Sequence, residues 1–194
     1  KAGKLNLTSN LYYQFGKDRA DNDLNAYLVS LDAAYNVTQK INTGLGAELI
    51  SGNENGAPSN GENNAFMPLY GTNHKFNGLI DDFYVGNHGN NVGLLDVYLK
   101  TKFKFNEKSS LYIGIHNFSA AAKRNNIDNQ LGNELDFVYA HKLQKNVMLK
   151  AGYSHFFAAE GMEALPNGNN SGATNNLGWV MLVIKPTLFK SSTK

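Results

Sequence analysis

Leu94–Phe105, LLDVYLKTKFKF, decides how the rest of the chain is read. Leu95, Val97, Leu99, Thr101, Phe103 and Phe105 alternate with Asp96, Tyr98, Lys100, Lys102 and Lys104. A period of two belongs to a β-strand with one oily side and one wet side. Asn106-Glu107-Lys108-Ser109 then makes a tight turn, and Leu111, Ile113 and Ile115 resume the oily side opposite Tyr112, Gly114 and His116. Alternating runs joined by a short polar turn read as a β-hairpin.

The same alternation extends in both directions. Upstream it covers Lys4 to Gly16 and Leu24 to Val37, then a third strand from Ile41 to Leu49, with mostly apolar groups on odd positions. Asp32, Asn42 and Glu48 fall on the wet side. Downstream, Leu135, Phe137 and Tyr139 oppose Glu134, Asp136 and Lys142, while Val147, Leu149, Ala151, Tyr153 and Phe157 oppose Lys150, Gly152 and Ser154. Leu177 to Ile184 is the last strand. The composition agrees: 19 Gly, 10 Tyr and 11 Phe against 4 Pro, with Asn in nearly every turn.

A formal charge of +2 and a pI near 8.6, with no basic run, give no footprint for nucleic acid. The chain has 0 Cys, which excludes disulfides and thiolate metal sites. No apolar run approaches the roughly 20 residues of a membrane helix, but barrel strands cross a bilayer with a weak alternating signal instead. The opening KAGKLNLT is no secretory signal and leads straight into a strand, so the chain is expected to begin in mid-protein.

The connections alternate in length. Those near 38–40, 106–109 and 144–146 are tight, and those near 17–23, 119–132 and 159–175 are long and rich in Asn and Gly. Short turns on one side and long loops on the other are the habit of outer-membrane barrels. Residues 53–92 interrupt the pattern. If Phe76 to Val85 were a spanning strand, the turn at Asn106–Ser109 would fall on the outer side. Treated as one extracellular excursion, 53–92 restores parity and leaves about eight spanning strands, each near the 9–11 residues that a tilted barrel strand needs.

Aromatic residues also sort by depth. Tyr13, Phe15, Tyr27, Phe157 and Trp179 are placed on the outward face near the long loops, and Tyr35, Phe103 and Phe105 near the tight turns. Two such belts mark strands that cross a bilayer, whereas a soluble sandwich has no reason to sort aromatics by depth. The expected class is all-β: an antiparallel transmembrane β-barrel in a bacterial outer membrane, forming a single domain over 1–194.

The central FMPLYGTNHKFNGLIDDFYVGNHGNNVGLLD, Phe66–Asp96, resembles the motif region of the alginate-export family of outer-membrane porins. The closing WVMLVIKPTLFK, Trp179–Lys190, is similar to the final strand of such proteins. The resemblance implies that this chain corresponds to the C-terminal half of a 16–18-stranded barrel, since members run to roughly twice its length, in keeping with the strand number of wide pores. With the inward-folding loop and the lysines of the wet side, the expected function is a channel for hydrophilic solutes, anionic saccharides among them.

On that reading the wet side lines a pore, and Glu48, Asp96, Tyr98, Lys100, Lys102, His116 and Lys150 are its candidate solute contacts. Lys100, Lys102 and Lys104, with Lys142 and Lys150, would form a cationic ladder that attracts carboxylated sugars. The bland alternative is that Lys102 and Lys104 snorkel to the rim and pair with acids across strands. In the long loop, His74, Lys75, Asp81, Asp82 and His88 are candidates for a constriction, and a structural lid is the alternative.

An enzyme is not expected. Ser154 and His155 are adjacent on a strand and point to opposite faces, and although Asn117 could partner His155, no nucleophile is evident. His74, His88, Asp81 and Asp82 have no recognisable metal spacing. No cofactor is expected beyond structural calcium on the external Asp/Asn-rich loops. Expected partners are outer-membrane lipids, a small hydrophilic solute and other envelope proteins. A small closed barrel of about eight strands, structural or binding but non-conducting, remains the other reading.

Overall fold

The computed structural model describes residues 3–69, 77–83, 92–163, 165 and 174–187. Eight long strands dominate: β1 (Leu5–Lys17), β2 (Asp23–Asn36), β3 (Ile41–Ile50), β5 (Leu94–Lys104), β6 (Ser109–Ser119), β7 (Gln130–Gln144), β8 (Val147–Ala158) and β9 (Thr174–Ile184). A two-residue strand, β4 (Glu62–Asn63), runs parallel to the start of β2. The only α-helix among the described residues is one turn, α1 (Glu160–Glu163). The long strands pair antiparallel in the order β1-β2-β3-β5-β6-β7-β8-β9. β1 and β9 are the two edges, and among the described residues the sheet does not close on itself.

Turn chemistry explains the tight connections. Asn106 Oδ1 accepts hydrogen bonds from the N–H groups of Lys108 and Ser109, at 2.8 and 2.9 Å. Thr38 Oγ1 does the same for Lys40 and Ile41, at 3.1 and 3.0 Å. Side chains that mimic a backbone turn in this way fix the hairpin register. Across the long excursion, β3 pairs directly with β5, Glu48 facing Asp96 and Leu45 facing Leu99, so 53–92 leaves and re-enters the sheet between adjacent strands. The described part of Phe76 to Val85 contains no strand.

Register puts odd residues of β1 to β8 on one face and even residues on the other. The odd face is largely open: Leu11, Phe15 and Leu45 are 73%, 77% and 60% exposed. An apolar face running across a whole sheet is far larger than monomeric soluble proteins leave in water. The even face carries the core, which sits toward the long-loop end: Ile50, Leu94, Phe118 and Phe156 from the strands, with Phe83, Val92, Met162 and Leu165 from the connections.

Trp179 departs from the expected outward belt. It pairs with Gly152, an even residue of β8, and its ring lies where a Gly152 side chain would stand. In β9 the odd positions therefore share the face of the even residues of β8, and Val180, Leu182 and Ile184 are exposed on the other. Leu177–Ile184 is apolar on both sides, so its phase could not be read from alternation alone. Strand pairing decides it.

The loop-end connections are tied down locally. Asp18 accepts from the backbone N–H groups of Ala20 and Asn22 and from the side-chain amides of Asn22 and Asn63. The two amides foremost, then those N–H groups, hold its carboxyl down to about 2. Gln14 on β1 exchanges two hydrogen bonds with the Met67 backbone, at 2.7 and 3.0 Å, drawing the excursion across the inward face of β1.

Candidate functional site

The inward face divides along the strands. Toward the long loops, successive register rows place Glu48 beside Asp96, then Asp32, Tyr98, His116 and Glu134, then Lys100, Gly114, Asp136 and Ser154. Toward the tight turns the rows carry Lys102 beside Tyr112, and Lys104, Lys150 and Lys142 beyond them. Acids gather at one end and amines at the other, with Lys100 at the boundary.

The acidic end is covered. His116 Nδ1 donates to both oxygens of Asp96 at 2.9 and 3.0 Å, and its Nε2 is 3.8 Å from Asp136 Oδ2. Ser154 Oγ donates to Asp136 Oδ1 at 2.5 Å. Asp96, His116, Glu134, Asp136 and Ser154 are all buried. Charged and polar groups survive burial only with partners, and most of these have them. Two oxygens lack a hydrogen bond: Glu134 Oε2 and Asp136 Oδ2.

Residues 77–83 form the cover. Asn77 Nδ2 donates to Glu48 Oε1 at 3.1 Å and to Asp96 Oδ2 at 3.4 Å. The N–H groups of Leu79 and Ile80 both donate to Glu134 Oε1, at 2.6 and 3.0 Å. Phe83 inserts between Phe118 and Phe156, with ring centroids 4.6 and 5.9 Å away. Asp82 receives long hydrogen bonds from Asn175 of β9, at 3.4 and 3.5 Å. Partial burial raises the Asp82 carboxyl above its ordinary range, against the Asn175 bonds and with help from Asp81.

Beside the cover, a polar depression of about 210 Å³ opens between β1 and β5, with Asn10, Asp32, Glu48 and Lys100 among its lining. Lys100 Nζ lies 3.6 Å from the centroid of the Tyr98 ring. That cation–π contact parks the ammonium on the inward face rather than at the rim.

The residues expected to line a pore all lie on the even face. Lys102 is exposed; Glu48, Tyr98, Lys100 and Lys150 are half-buried; Asp96 and His116 lie beneath 77–83. Of the expected constriction residues, Asp81 and Asp82 are half-buried in the cover, while His74, Lys75 and His88 lie outside the described residues. Alternation alone did not single out Asn77, Glu134 or Phe83 as the groups that fasten the cover. The Asn77-Gly78 pair was the available signal, since Asn-Gly favours a left-handed turn, and both residues have positive φ, 58° and 87°.

The hydrolase arrangement weighed from sequence is not assembled. Ser154 donates to a carboxylate, His155 pairs with Asn176 Oδ1 at 2.5 Å on the outward face, and Asn117 donates to Asn133 rather than to His155. Among the described residues, no group of three or more His, Asp or Glu side chains could hold a metal ion. No protein-family model matches the chain, and no curated protein matches it in sequence.

Proposed function

We propose that the chain builds the wall of an outer-membrane porin of alginate-export type, through which hydrophilic and preferentially anionic saccharide solutes diffuse. The odd face meets lipid, where every backbone group must be paired within the wall. The even face meets water. The long excursion turns inward and narrows the lumen, and the lysines set the sign of the solute.

The observation that carries the reading is the contrast between the two faces. An uncovered apolar face opposes a face of Asn, Ser, Tyr, Asp and Lys, and on that polar face Asp96, Glu134 and Asp136 are buried while Lys102, Lys104 and Lys142 stand exposed. The charge offered to a passing solute is therefore mostly positive, which concentrates anions in a channel by long-range attraction. A small closed barrel would need β1 to pair with β9, and its interior would be just wide enough for side chains or one small ligand.

Conductance in planar bilayers tests the proposal. The purified protein is expected to give ohmic channels with an anion preference that falls in Lys100→Glu. Silence in bilayers overturns the channel, and a sample that stays monodisperse without detergent overturns the membrane wall as well.

A further inference from the structure

The segment 77–83 is held by an unusual kind of contact. One oxygen of a fully buried carboxylate, Glu134 Oε1, accepts two consecutive backbone N–H groups, at 2.6 and 3.0 Å. A carboxyl oxygen has two lone pairs and can accept both N–H groups at once. The backbone is shaped for the contact. Asn77 and Gly78 both take positive φ, and a side chain at Gly78 would run into the Glu134 carboxylate. Only glycine lets the chain lie this close to Glu134 in this conformation.

The other fastenings flank that clasp. Asn77 reaches Glu48 and Asp96 on β3 and β5, and Phe83 sits between β6 and β8. Among the described residues, Glu134 on β7 grips the segment by its main chain, between these two side-chain anchors. Without an acceptor there, the N–H groups of Leu79 and Ile80 would lie against the sheet with nothing to bond. Water is the remedy, and water reaches them only if the segment lifts.

We infer that Glu134 is the positioning residue that holds 77–83 across the inward face, and that this clasp sets the open cross-section of the pore. The second half of the inference rests on the channel reading given above; the first does not. Glu134 contacts no solute in this role. It acts through the segment that it holds.

Two variants of similar size separate the effects. Glu134→Leu removes the acceptor, whereas Glu134→Gln keeps a carbonyl oxygen at the same place. In detergent-solubilised full-length protein, the Leu79 and Ile80 amides should exchange hydrogen about 10- to 100-fold faster in Glu134→Leu, the range set by leaving a buried donor unsatisfied. They should stay close to wild type in Glu134→Gln, and strand amides of β5 to β8 should remain protected in both. In bilayers, Glu134→Leu should raise single-channel conductance and Glu134→Gln should not. Unchanged exchange at Leu79 and Ile80 in Glu134→Leu overturns the clasp. Faster exchange with unchanged conductance, in a protein that conducts, overturns the link to the pore. A wild-type protein silent in bilayers sinks the channel reading, and exchange alone still decides the clasp.

Discussion

At the long-loop end of the inward face, Asp96, His116, Glu134 and Asp136 lie buried under 77–83; a few residues along the same strands, Lys102, Lys104 and Lys142 stand in the open. Both halves come from one alternating pattern and carry similar densities of charge. What separates them is cover. Where a segment folds down, carboxylates are taken from solvent and become internal hydrogen-bond acceptors for Asn77, Ser154, His116 and two backbone amides. Where nothing folds down, the charges remain exposed. Alternation assigns a residue to a face, but only the cover decides whether it can touch anything passing by.

The strongest way to break the comparison is to remove the cover's apolar anchor. Phe83 is buried between Phe118 and Phe156. Phe83→Ala should cost about 3 kcal/mol of the closure of 77–83, the scale for deleting a buried aromatic side chain. Lys102→Gln in the open half should change stability by no more than about 0.5 kcal/mol, as exposed substitutions do. Amide exchange in 77–83 together with denaturant unfolding in micelles measures both. Equal responses from the two variants would mean that the halves do not differ in the way described.

The boundary between the halves offers a smaller effect with a clean reporter. Trp179 lies over Gly152 and is the 1 Trp of the chain. Tyr98 lies over Gly46 in the same manner on β3 and β5. Rings laid across a neighbouring glycine fill the space that the glycine leaves in a strand. Gly152→Ala should displace the indole at a cost of about 1–2 kcal/mol, as overpacking does. Trp179 emission should shift, while Lys100→Glu conductance behaviour is retained. An unshifted emission spectrum would show that the ring is not held there.

Most of the sheet was legible in the sequence because its physics is local. Asn106 and Thr38 make their turns with their own side chains, and the period of two places Glu48, Asp96, Tyr98, Lys100 and His116 on one face wherever the partners lie. The phase of β9 was not legible, since its apolar residues occupy both faces and only pairing with β8 sets it. The fastening of 77–83 was hidden for a different reason. Glu134 and Leu79 are 55 residues apart, and the contact uses backbone N–H groups that every residue but proline possesses. No residue pattern advertises a main-chain donor. Charge also misled: Asp96 and Lys102 look equally suited to a solute until the cover hides one of them.

The smallest expected effect is a dependence of the cover on pH through Asp82. Partial burial raises its carboxyl above the ordinary value of 3.8; the Asn175 bonds oppose that rise, and Asp81 adds to it. In the lifted segment Asp82 would ionise near its ordinary value, so below that value both forms hold a neutral acid and closure keeps its full strength. As pH climbs, the lifted form ionises first and draws the equilibrium toward itself, and the loss is complete once pH passes the raised value of the closed form. Exchange at the Phe83 amide, corrected for its intrinsic rate, should therefore slow on acidification. Glu48, Asp96, His116, Glu134 and Asp136 also lie on the face that the segment covers, so the effect of Asp82 is the difference between wild type and Asp82→Asn. That variant should flatten the part of the profile just above the ordinary carboxylate range. Identical profiles would show that the Asp82 carboxyl gains no burial when the segment closes, and would confine the fastening to Asn77, the Glu134 clasp and Phe83.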